Sequence, residues 1–449
     1  MRTVPFCVSL LVAACGSDPE SPRRDAGTDA GPGIAPEWTD PPAAPIAIGQ
    51  GQTRVLPFTV TDADGDDVTA TAAPPAGLEV EIKGTEIEVH ADYSITGAVG
   101  FDVTLDDGRA APVVVSVAVE VSPIRWVGGE AWLEADGPEA REHGAIVVDP
   151  EGGRALLVDG SGYAPYLEPL DDVWSYDLAS GDWTLRTPTG DVPSGGGSRR
   201  VAQVPGARVA YLFGGYGVDG ASNADLYRVT FDRDEPDFMR LAQENAPPPR
   251  ALHAFAYDAE TDRFFLFGGA STRPANDTWV MTLDGDTATW TEVETPVAPS
   301  PRYGFFYGVD EANGRLVLFS GAQGFSPIDP APDTWALDLR ADPPAWSLVV
   351  AGDAPDAPAG RRNGCAIFDP SGPRLFVFGG TADAATTEEG LFALDARPGH
   401  EGWTRLDLAD APEVRSSGFG LHDGDIDETL FGFGNTSSDV FRDWNRLGY

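Results

Sequence analysis

Four aspartates in one short segment have the chemistry of a calcium site. Asp62, Asp64, Asp66 and Asp67 place four carboxylates within six residues, and oxygen atoms are the ligands that calcium prefers. The spacing departs from an EF-hand loop, because Gly65 comes early and no glutamate stands at the twelfth position. Aspartate and glycine are also the ordinary residues of an acidic hairpin turn. The segment therefore predicts either a calcium site or such a turn.

The amino terminus has the pattern of an export signal. Residues 4–14 form an apolar stretch after Arg2, and this stretch is too short to span a bilayer. It ends in small residues directly before Cys15, an arrangement that resembles the bacterial lipobox. The resemblance implies a signal peptide over residues 1–14, acylation of Cys15 and attachment to the bacterial cell envelope, at the outer membrane or the cell surface. The alternative is an ordinary secretory signal in which the cysteine occurs by chance.

The composition predicts an acidic protein with a flexible tether and argues against a nucleic-acid-binding function. The 30 Lys and Arg residues against 71 Asp and Glu residues leave a net charge of −41, whereas nucleic acids require a basic surface. Residues 15–36 are rich in Gly, Pro, Asp and Ser and predict a flexible tether. With Cys15 acylated and Cys7 in the signal, Cys365 is the only thiol that remains, and no internal disulfide is expected.

Residues 37–122 predict a small β-domain. Apolar and polar residues alternate in six short runs that are separated by turn residues, and this spacing fits an antiparallel sandwich. The aspartate segment at residues 61–67 and a second one at residues 101–108 resemble those of bacterial Ig-like or cadherin-like surface modules.

The remaining sequence, residues 124–449, repeats six times. An apolar run ends in a glycine pair or a near version of it, and the final glycines stand at 160, 215, 269, 321, 380 and 434, spaced by 55, 54, 52, 59 and 54 residues. Three other marks keep this phase. An arginine precedes each apolar run: Arg141, Arg200, Arg250, Arg302, Arg361 and Arg415. In the fifth copy Gly390 stands where the next strand begins. In the other five copies an aspartate begins that strand: Asp172, Asp225, Asp277, Asp333 and Asp439. An aromatic residue follows: Trp183, Phe238, Trp290, Trp346 and Trp403.

These marks together resemble the kelch repeat over about 326 residues. The resemblance implies an all-β, six-bladed β-propeller, and a period near 54 residues suits four short strands per blade. The sixth copy ends after its third strand, and residues 124–135 supply an unassigned strand at the other end. We therefore predict that this amino-terminal strand completes the last blade, because a sealed ring leaves no open sheet edge at the joint.

No sequence motif identifies a catalytic site, so no catalytic residue is assigned. The chain lacks a Gly-x-Ser-x-Gly elbow, a His-Glu-x-x-His pair and a P-loop. His143 and His253 lie close to blade arginines, where packing and hydrogen bonding are the favoured roles. The kelch resemblance also includes copper-radical oxidases similar to galactose oxidase, which need a Cys–Tyr crosslink, and Cys365 is the candidate cysteine for it. A carbohydrate-active propeller enzyme with its site at the central channel is the alternative function.

Binding is the favoured function. The loops between the second and third strands of the blades vary in length and carry aromatic residues, including Tyr163, Tyr166, Tyr216 and Phe325. Aromatic side chains on such loops are typical contacts for a protein partner and stacking surfaces for sugars. The alternative is that these side chains contact no ligand and only cover the ends of the blades. We expect a monomeric, membrane-anchored scaffold that binds a protein or a glycan, with calcium as the one conceivable cofactor.

Overall fold

The computed structural model describes residues 11–12, 33–133, 136–149, 151–162, 168–383, 387–424, 427–436 and 439–449. Most of the predicted signal peptide, Cys15 and most of the tether lie outside the described residues, while Leu11–Val12 of the predicted signal peptide form a short strand. Two units are present, Met1–Ile124 together with Tyr449, and Arg125–Gly448. Every regular element of the described chain is a strand, and no helix there is long and apolar enough to cross a membrane.

The first unit encloses one apolar core between β-sheets. Its strands are Leu11–Val12, Glu37–Trp38, Ile46–Gly49, Thr53–Pro57, Val60–Thr61, Val68–Ala73, Leu78–Lys83, Glu86–Ala91, Gly97–Asp106 and Val113–Ser122. Alternation decides the buried face, since Val117, Val119 and Val121 are buried while the residues between them are exposed. The predicted antiparallel pattern has one exception, because Ile46–Gly49 pairs in parallel with Val119–Ser122.

The second unit consists of six four-stranded antiparallel blades, as predicted. Blade 1 contains Ala145–Asp149, Arg154–Val158, Val173–Asp177 and Trp183–Leu185. Blade 2 contains Arg200–Gln203, Val209–Phe213, Leu226–Thr230 and Asp237–Arg240, with Thr189–Gly190 at its outer edge. Blade 3 contains Ala254–Asp258, Arg263–Phe267, Thr278–Asp284 and Thr287–Val293, with Ala242–Glu244 at its outer edge. Blade 4 contains Phe306–Asp310, Arg315–Phe319, Thr334–Asp338 and Ala345–Val350. Blade 5 contains Cys365–Asp369, Arg374–Phe378, Leu391–Asp395 and Gly402–Leu406.

The sixth blade joins the two ends of the propeller sequence. It contains Phe419–Asp423, Glu428–Gly432, Asp443–Gly448 and, as its outer strand, Arg125–Ala131. This outer strand pairs antiparallel with Asp443–Gly448, so the predicted closure by the amino-terminal strand is present. The inner strands of blades 1 and 6 also lie in contact, and the ring is thereby complete.

In four blades a buried arginine connects the glycine pair to the strand that follows it. In blade 3, Arg250 donates from Nη1 to the carbonyl of Gly268 and forms a two-pronged ion pair with Asp277, with Nη1 to Oδ1 at 2.7 Å. Its own carbonyl accepts a 2.9 Å hydrogen bond from the N–H of Gly215, in the blade before. Paired, hydrogen-bonded geometry of this kind is what allows a charge to be buried. Equivalent arginines are Arg141, Arg302 and Arg415.

Two of the predicted repeat positions are wrong. In blade 2 the guanidinium at the glycine-pair carbonyl belongs to Arg199, which donates to Gly214 O and pairs with Asp159 at 2.7 Å, whereas Arg200 begins the inner strand. In blade 6 the aspartate that pairs with Arg415 is Asp443 and not Asp439, because the third strand begins four residues later than predicted. The errors arose because neighbouring residues of the same type carried the same signal.

A ring of left-handed residues surrounds the propeller axis. One residue of each blade, just before the inner strand, has φ between 53° and 63°: His143, Ser198, Leu252, Gly304, Asn363 and Ser417. Five backbone hydrogen bonds connect neighbours in this ring, including Ser198 N–H to His143 O at 2.8 Å and Asn363 N–H to Gly304 O at 2.7 Å. The blades are therefore held together at the axis by backbone groups as well as by side-chain packing.

Candidate functional site

A cavity of about 640 Å³ opens against the axial ring. We call it the axial cavity. Three residues of the ring line this cavity. Residues directly before ring positions, together with several loop residues, complete its wall. Its principal side chains are Glu142, His143, Tyr216, Leu252, Tyr303, Phe325, Arg362 and Asn363. Because these residues come from different blades, the complete propeller is needed to assemble the site. A cavity of this size fits a small ligand or a few residues of a peptide.

Aromatic side chains form one side of the axial cavity. The rings of Tyr303 and Phe325 stand 5.1 Å apart between centroids, and Phe325 is 47% exposed. Tyr216 packs against the small apolar cluster that supports Tyr303 and Leu252. An exposed aromatic ring beside buried ones offers apolar contact area at a small cost in side-chain entropy.

Two arginines bring positive charge to the axis. The guanidinium of Arg362 lies 5.6 Å from the centre of the Tyr303 ring, and its buried Nε has no hydrogen-bond partner among the residues that the structure describes. Arg200 lies outside the cavity wall, where it donates from Nε to His253 O and stands 5.9 Å from the Tyr307 ring centre. Within the described ranges, no carboxylate forms an ion pair with either arginine. In a chain of net charge −41, two such cations on one axis indicate a preference for an anionic group.

Of the neighbouring titratable groups, His143 adds no charge, whereas the carboxyl groups of Glu142 and Asp219 also line the cavity. Burial, with Arg200 and Arg362 nearby, lowers the pKa of His143 to about 3, so its imidazole is neutral at pH 7. Burial raises the pKa of the Glu142 carboxyl, although a hydrogen bond from Ser417 opposes this shift. The guanidinium of Arg362 beside a neutral imidazole can receive a carboxylate, which binds arginine in a two-pronged geometry.

The structure brings two of the four predicted binding residues together. Tyr216 and Phe325 line the same cavity, while Tyr163 and Tyr166 lie outside the described residues. That these side chains contact a ligand stays a prediction. The sequence analysis missed Arg362 and Asn363, although the doubled arginines at 199–200 and 361–362 were an available signal. In each pair the first arginine packs within the blade and the second faces the axis.

Cys365 and His253 are buried structural positions. The Cys365 thiol begins the inner strand of blade 5, is 2% exposed and forms no disulfide, and burial raises its pKa. A buried thiol of raised pKa is poorly suited to react as a thiolate. His253 is fully buried, and its ring lies 5.5 Å from that of Phe213 in a T-shaped arrangement, as the packing interpretation expects. The expected hydrogen bonding is wrong, because neither ring nitrogen has a partner among the described residues.

The aspartate segment has turn geometry and retains grouped carboxylates. Asp62 Oδ1 accepts hydrogen bonds from the N–H groups of Asp64, Gly65 and Asp66, while oxygens of Asp62, Asp64 and Asp66 lie within 4.8 Å of one another. Asp67 is not a member of this group. Calcium binding here stays a prediction; unfolding temperatures of the full chain in calcium and in chelator would test it.

A second group with possible metal ligands contains the two carboxylates and the imidazole of Asp369, His422 and Asp427. The Asp369 carboxylate is already engaged, because Arg374 Nε donates to its Oδ2 at 2.9 Å and Ser371 donates to its Oδ1. This group is therefore better explained as a structural ion-pair network than as a metal centre.

The repeats agree with a known family. A family model described as the KLHDC2/KLHL20/DRC7 Kelch-repeats domain matches residues 200–434, just over half of the chain. The chain belongs to the kelch-repeat family. The kelch propeller also superposes on the solved structure titled "Structure of YjhT" with a TM-score of 0.52, covering 70% of this chain and 96% of that one at 13% identity, which supports the fold alone.

Curated relatives match this chain over a part of their own length. Adagio-like protein 3 of Oryza sativa subsp. japonica is 26% identical over 267 residues, which are 58% of this chain and 41% of that protein. Dynein regulatory complex subunit 7 of Chlamydomonas reinhardtii is 38% identical over 117 residues, 24% of this chain and 9% of that one. The chain thus spans less than half of these relatives. A kelch propeller supports a protein-binding scaffold role in general.

Proposed function

We propose that the kelch propeller binds a carboxylate-bearing segment of a partner protein in the axial cavity. The observation that carries this proposal is Arg362, a cation without a carboxylate partner in the described structure, at the wall of an aromatic cavity. The carboxylate of the partner pairs with its guanidinium, and an adjoining apolar side chain packs against Tyr303 and Phe325. Charge and apolar contact thereby select an acidic side chain or a chain terminus next to an apolar residue.

Removal of the guanidinium tests the proposal. Purified full chain would be screened against peptides with free carboxyl termini or internal acidic residues, and against the same peptides with neutralised acids. A hydrogen bond to a charged group contributes about 1.5–3 kcal/mol, so Arg362→Gln should weaken binding of a selected peptide about 10- to 150-fold. Arg362→Lys keeps the charge without the planar fork and should give an intermediate loss.

The matched control is Arg125→Gln, which removes an exposed arginine of the outer strand of blade 6. This control should retain wild-type affinity, and Phe325→Ala should weaken binding without abolishing the preference for acidic peptides. Equal affinity of wild type and Arg362→Gln for every peptide would overturn the proposal. Selection of acidic glycans, in a parallel glycan array, would replace the protein partner by a sugar acid at the same cavity.

Membrane attachment is a separate proposal that rests on the amino-terminal sequence. We propose that the chain is anchored in a bacterial envelope by lipid on Cys15, through the tether of residues 15–36. Expression in a bacterial host with labelled palmitate should label the wild type and place it in the membrane fraction. Cys15→Ser should lose both the label and membrane attachment, and equal labelling of this variant would contradict the proposal.

A further inference from the structure

Six equivalent positions surround the propeller axis, one in each blade directly before the residue of the axial ring. In five blades this residue forms an antiparallel bridge with the residue after the final glycine of the repeat, as Glu142 does with Ser161 and Arg362 with Thr381. The six residues are Glu142, Gly197, Ala251, Tyr303, Arg362 and Ser416. Only two of them are charged, with opposite signs, and both of these line the axial cavity.

Glu142 differs from five other buried carboxylates of the propeller, because it has no cationic partner. Its side chain lines the axial cavity, only 9% of the residue is exposed, and Ser417 donates a hydrogen bond to the carboxyl group. No arginine pairs with it among the residues that the structure describes. An arginine nitrogen lies within 3.1 Å of each of five other carboxylates: Asp149, Asp159, Asp258, Asp310 and Asp369. A buried carboxylate is costly unless it is paired, so a cation from a ligand would stabilise Glu142.

Asp219 brings a second carboxylate to the cavity from the neighbouring blade. It is exposed on the loop that follows the glycine pair of blade 2, and its Oδ1 accepts the N–H of Ala221 at 3.0 Å. It forms no ion pair within the described ranges. The charged side chains of the cavity wall are therefore two carboxylates from blades 1 and 2 and the guanidinium of Arg362 from blade 5.

These opposite charges do not pair with one another. In the described chain no ion pair joins Arg362 to Glu142 or to Asp219. Of the Arg362 nitrogens, Nε alone is enclosed, and neither Nη group has a hydrogen-bond partner there, so the end of the guanidinium is open to the cavity. A ligand of a single charge is attracted by one part of this wall and repelled by another, whereas a ligand that carries both charges is attracted by both parts.

We propose that the partner segment received in the axial cavity carries a lysine or arginine within a few residues of its carboxylate. The carboxylate pairs with Arg362, and the cationic side chain faces Glu142 and Asp219, where the ring of Tyr216 adds a cation–π contact. This inference rests on the function proposed above. It narrows the ligand from acidic segments in general to segments that carry both charges.

Blocked tetrapeptides without terminal charges are the probes. One set contains aspartate, leucine, glycine and lysine in every order, and three matched sets replace aspartate by asparagine, lysine by glutamine, or both. The sets are screened on the purified full chain, and affinities are measured by calorimetry. The best aspartate–lysine peptide should bind about tenfold more tightly than its glutamine counterpart, which in turn should bind more tightly than the uncharged peptide.

Two variants remove the carboxylates separately. Glu142→Gln keeps the size and an acceptor for Ser417, and it should abolish most of the tenfold preference for lysine without weakening the peptide that has aspartate alone. Asp219→Asn removes an exposed charge and should reduce the preference about two- to fivefold. The control is Asp182→Asn, which removes an exposed carboxylate of blade 1 outside the cavity wall and should leave the preference unchanged.

The outcomes separate this inference from the proposed function. Equal affinity of the wild type for the lysine and glutamine peptides, or a lysine preference that both variants retain, would overturn the inference. The proposed function would still hold if aspartate peptides bound more tightly than asparagine peptides. Equal binding of aspartate and asparagine peptides would instead overturn the proposed function. Asp219→Asn decides alone if Glu142→Gln does not fold.

Discussion

Individual residues of the same type have different roles in this propeller, and burial decides which role each has. Arg302 is fully buried and paired with Asp333 at 2.7 Å, so its charge stabilises a blade. Arg362 is half-buried and without a carboxylate partner in the described part of the chain, so its charge remains available to a ligand. The repeat spacing predicts the position of an arginine such as Arg302, whereas no repeated signal predicts an arginine such as Arg362.

His143 should make the protein less stable in acid. Its pKa is lowered from 6.5 to about 3 in the folded state, by burial and by Arg200 and Arg362, so between these values the unfolded chain binds one proton more. Stability is therefore lost as the pH falls below 6.5, with a slope of at most about 1.4 kcal/mol per pH unit. His143→Asn, which suits a φ of 61°, should remove this contribution.

Urea unfolding of wild type and His143→Asn at pH 7.5 and pH 5 measures the effect. The difference in free energy of unfolding between the two proteins should shift in favour of the variant at pH 5. An identical pH dependence of the two proteins would show that the imidazole is not buried beside the two cations.

At the scale of elements, the blades are joined through backbone groups at the glycine pairs. In five of the six blades the N–H of the second glycine donates to the carbonyl of the arginine in the next blade, as Gly269 does to Arg302 at 2.9 Å. Strand periodicity predicts each blade because the apolar runs that precede the glycine pairs are fully buried, as in Phe264–Phe267. It does not predict the hydrogen bonds between blades, which depend on loop conformation.

Gly269→Ala should destabilise blade 3 severely. Its φ is 86°, and an added Cβ would lie 2.6 Å from His253 Cβ and 2.8 Å from Ala251 O. Strain and overlap together should cost about 3 kcal/mol or more. Gly285→Ala is the control, because that turn glycine has φ of 58° with no atom within 4 Å, and only about 1 kcal/mol is expected. Chemical denaturation would compare them, and equal losses would contradict the close approach.

At the scale of the whole molecule, the strand Arg125–Ala131 determines whether the ring is closed. It forms the outer strand of blade 6, and Trp126 contacts Phe431 of that blade and Phe378 of blade 5. An open ring would expose the edge of Asp443–Gly448 and the apolar faces of two blades to water.

Deletion of residues 125–131 should therefore lower the unfolding temperature of the propeller by at least about 10 °C and broaden the transition. The control deletes Thr189–Gly190, a two-residue edge strand of blade 2 that closes no ring, and should have a much smaller effect. Calorimetry of the full chain provides the measurement. An unchanged, cooperative transition after the first deletion would mean that blade 6 is stable with three strands.

The sequence by itself determined the all-β class, the six blades and the closing strand, because periodic apolar runs and glycine pairs are local signals that recur in every blade. Tertiary structure alone decided that Arg199 replaces Arg200 and that Arg362 and His143 meet on the axis. Such contacts join residues from different blades, and their distances depend on how the ring closes.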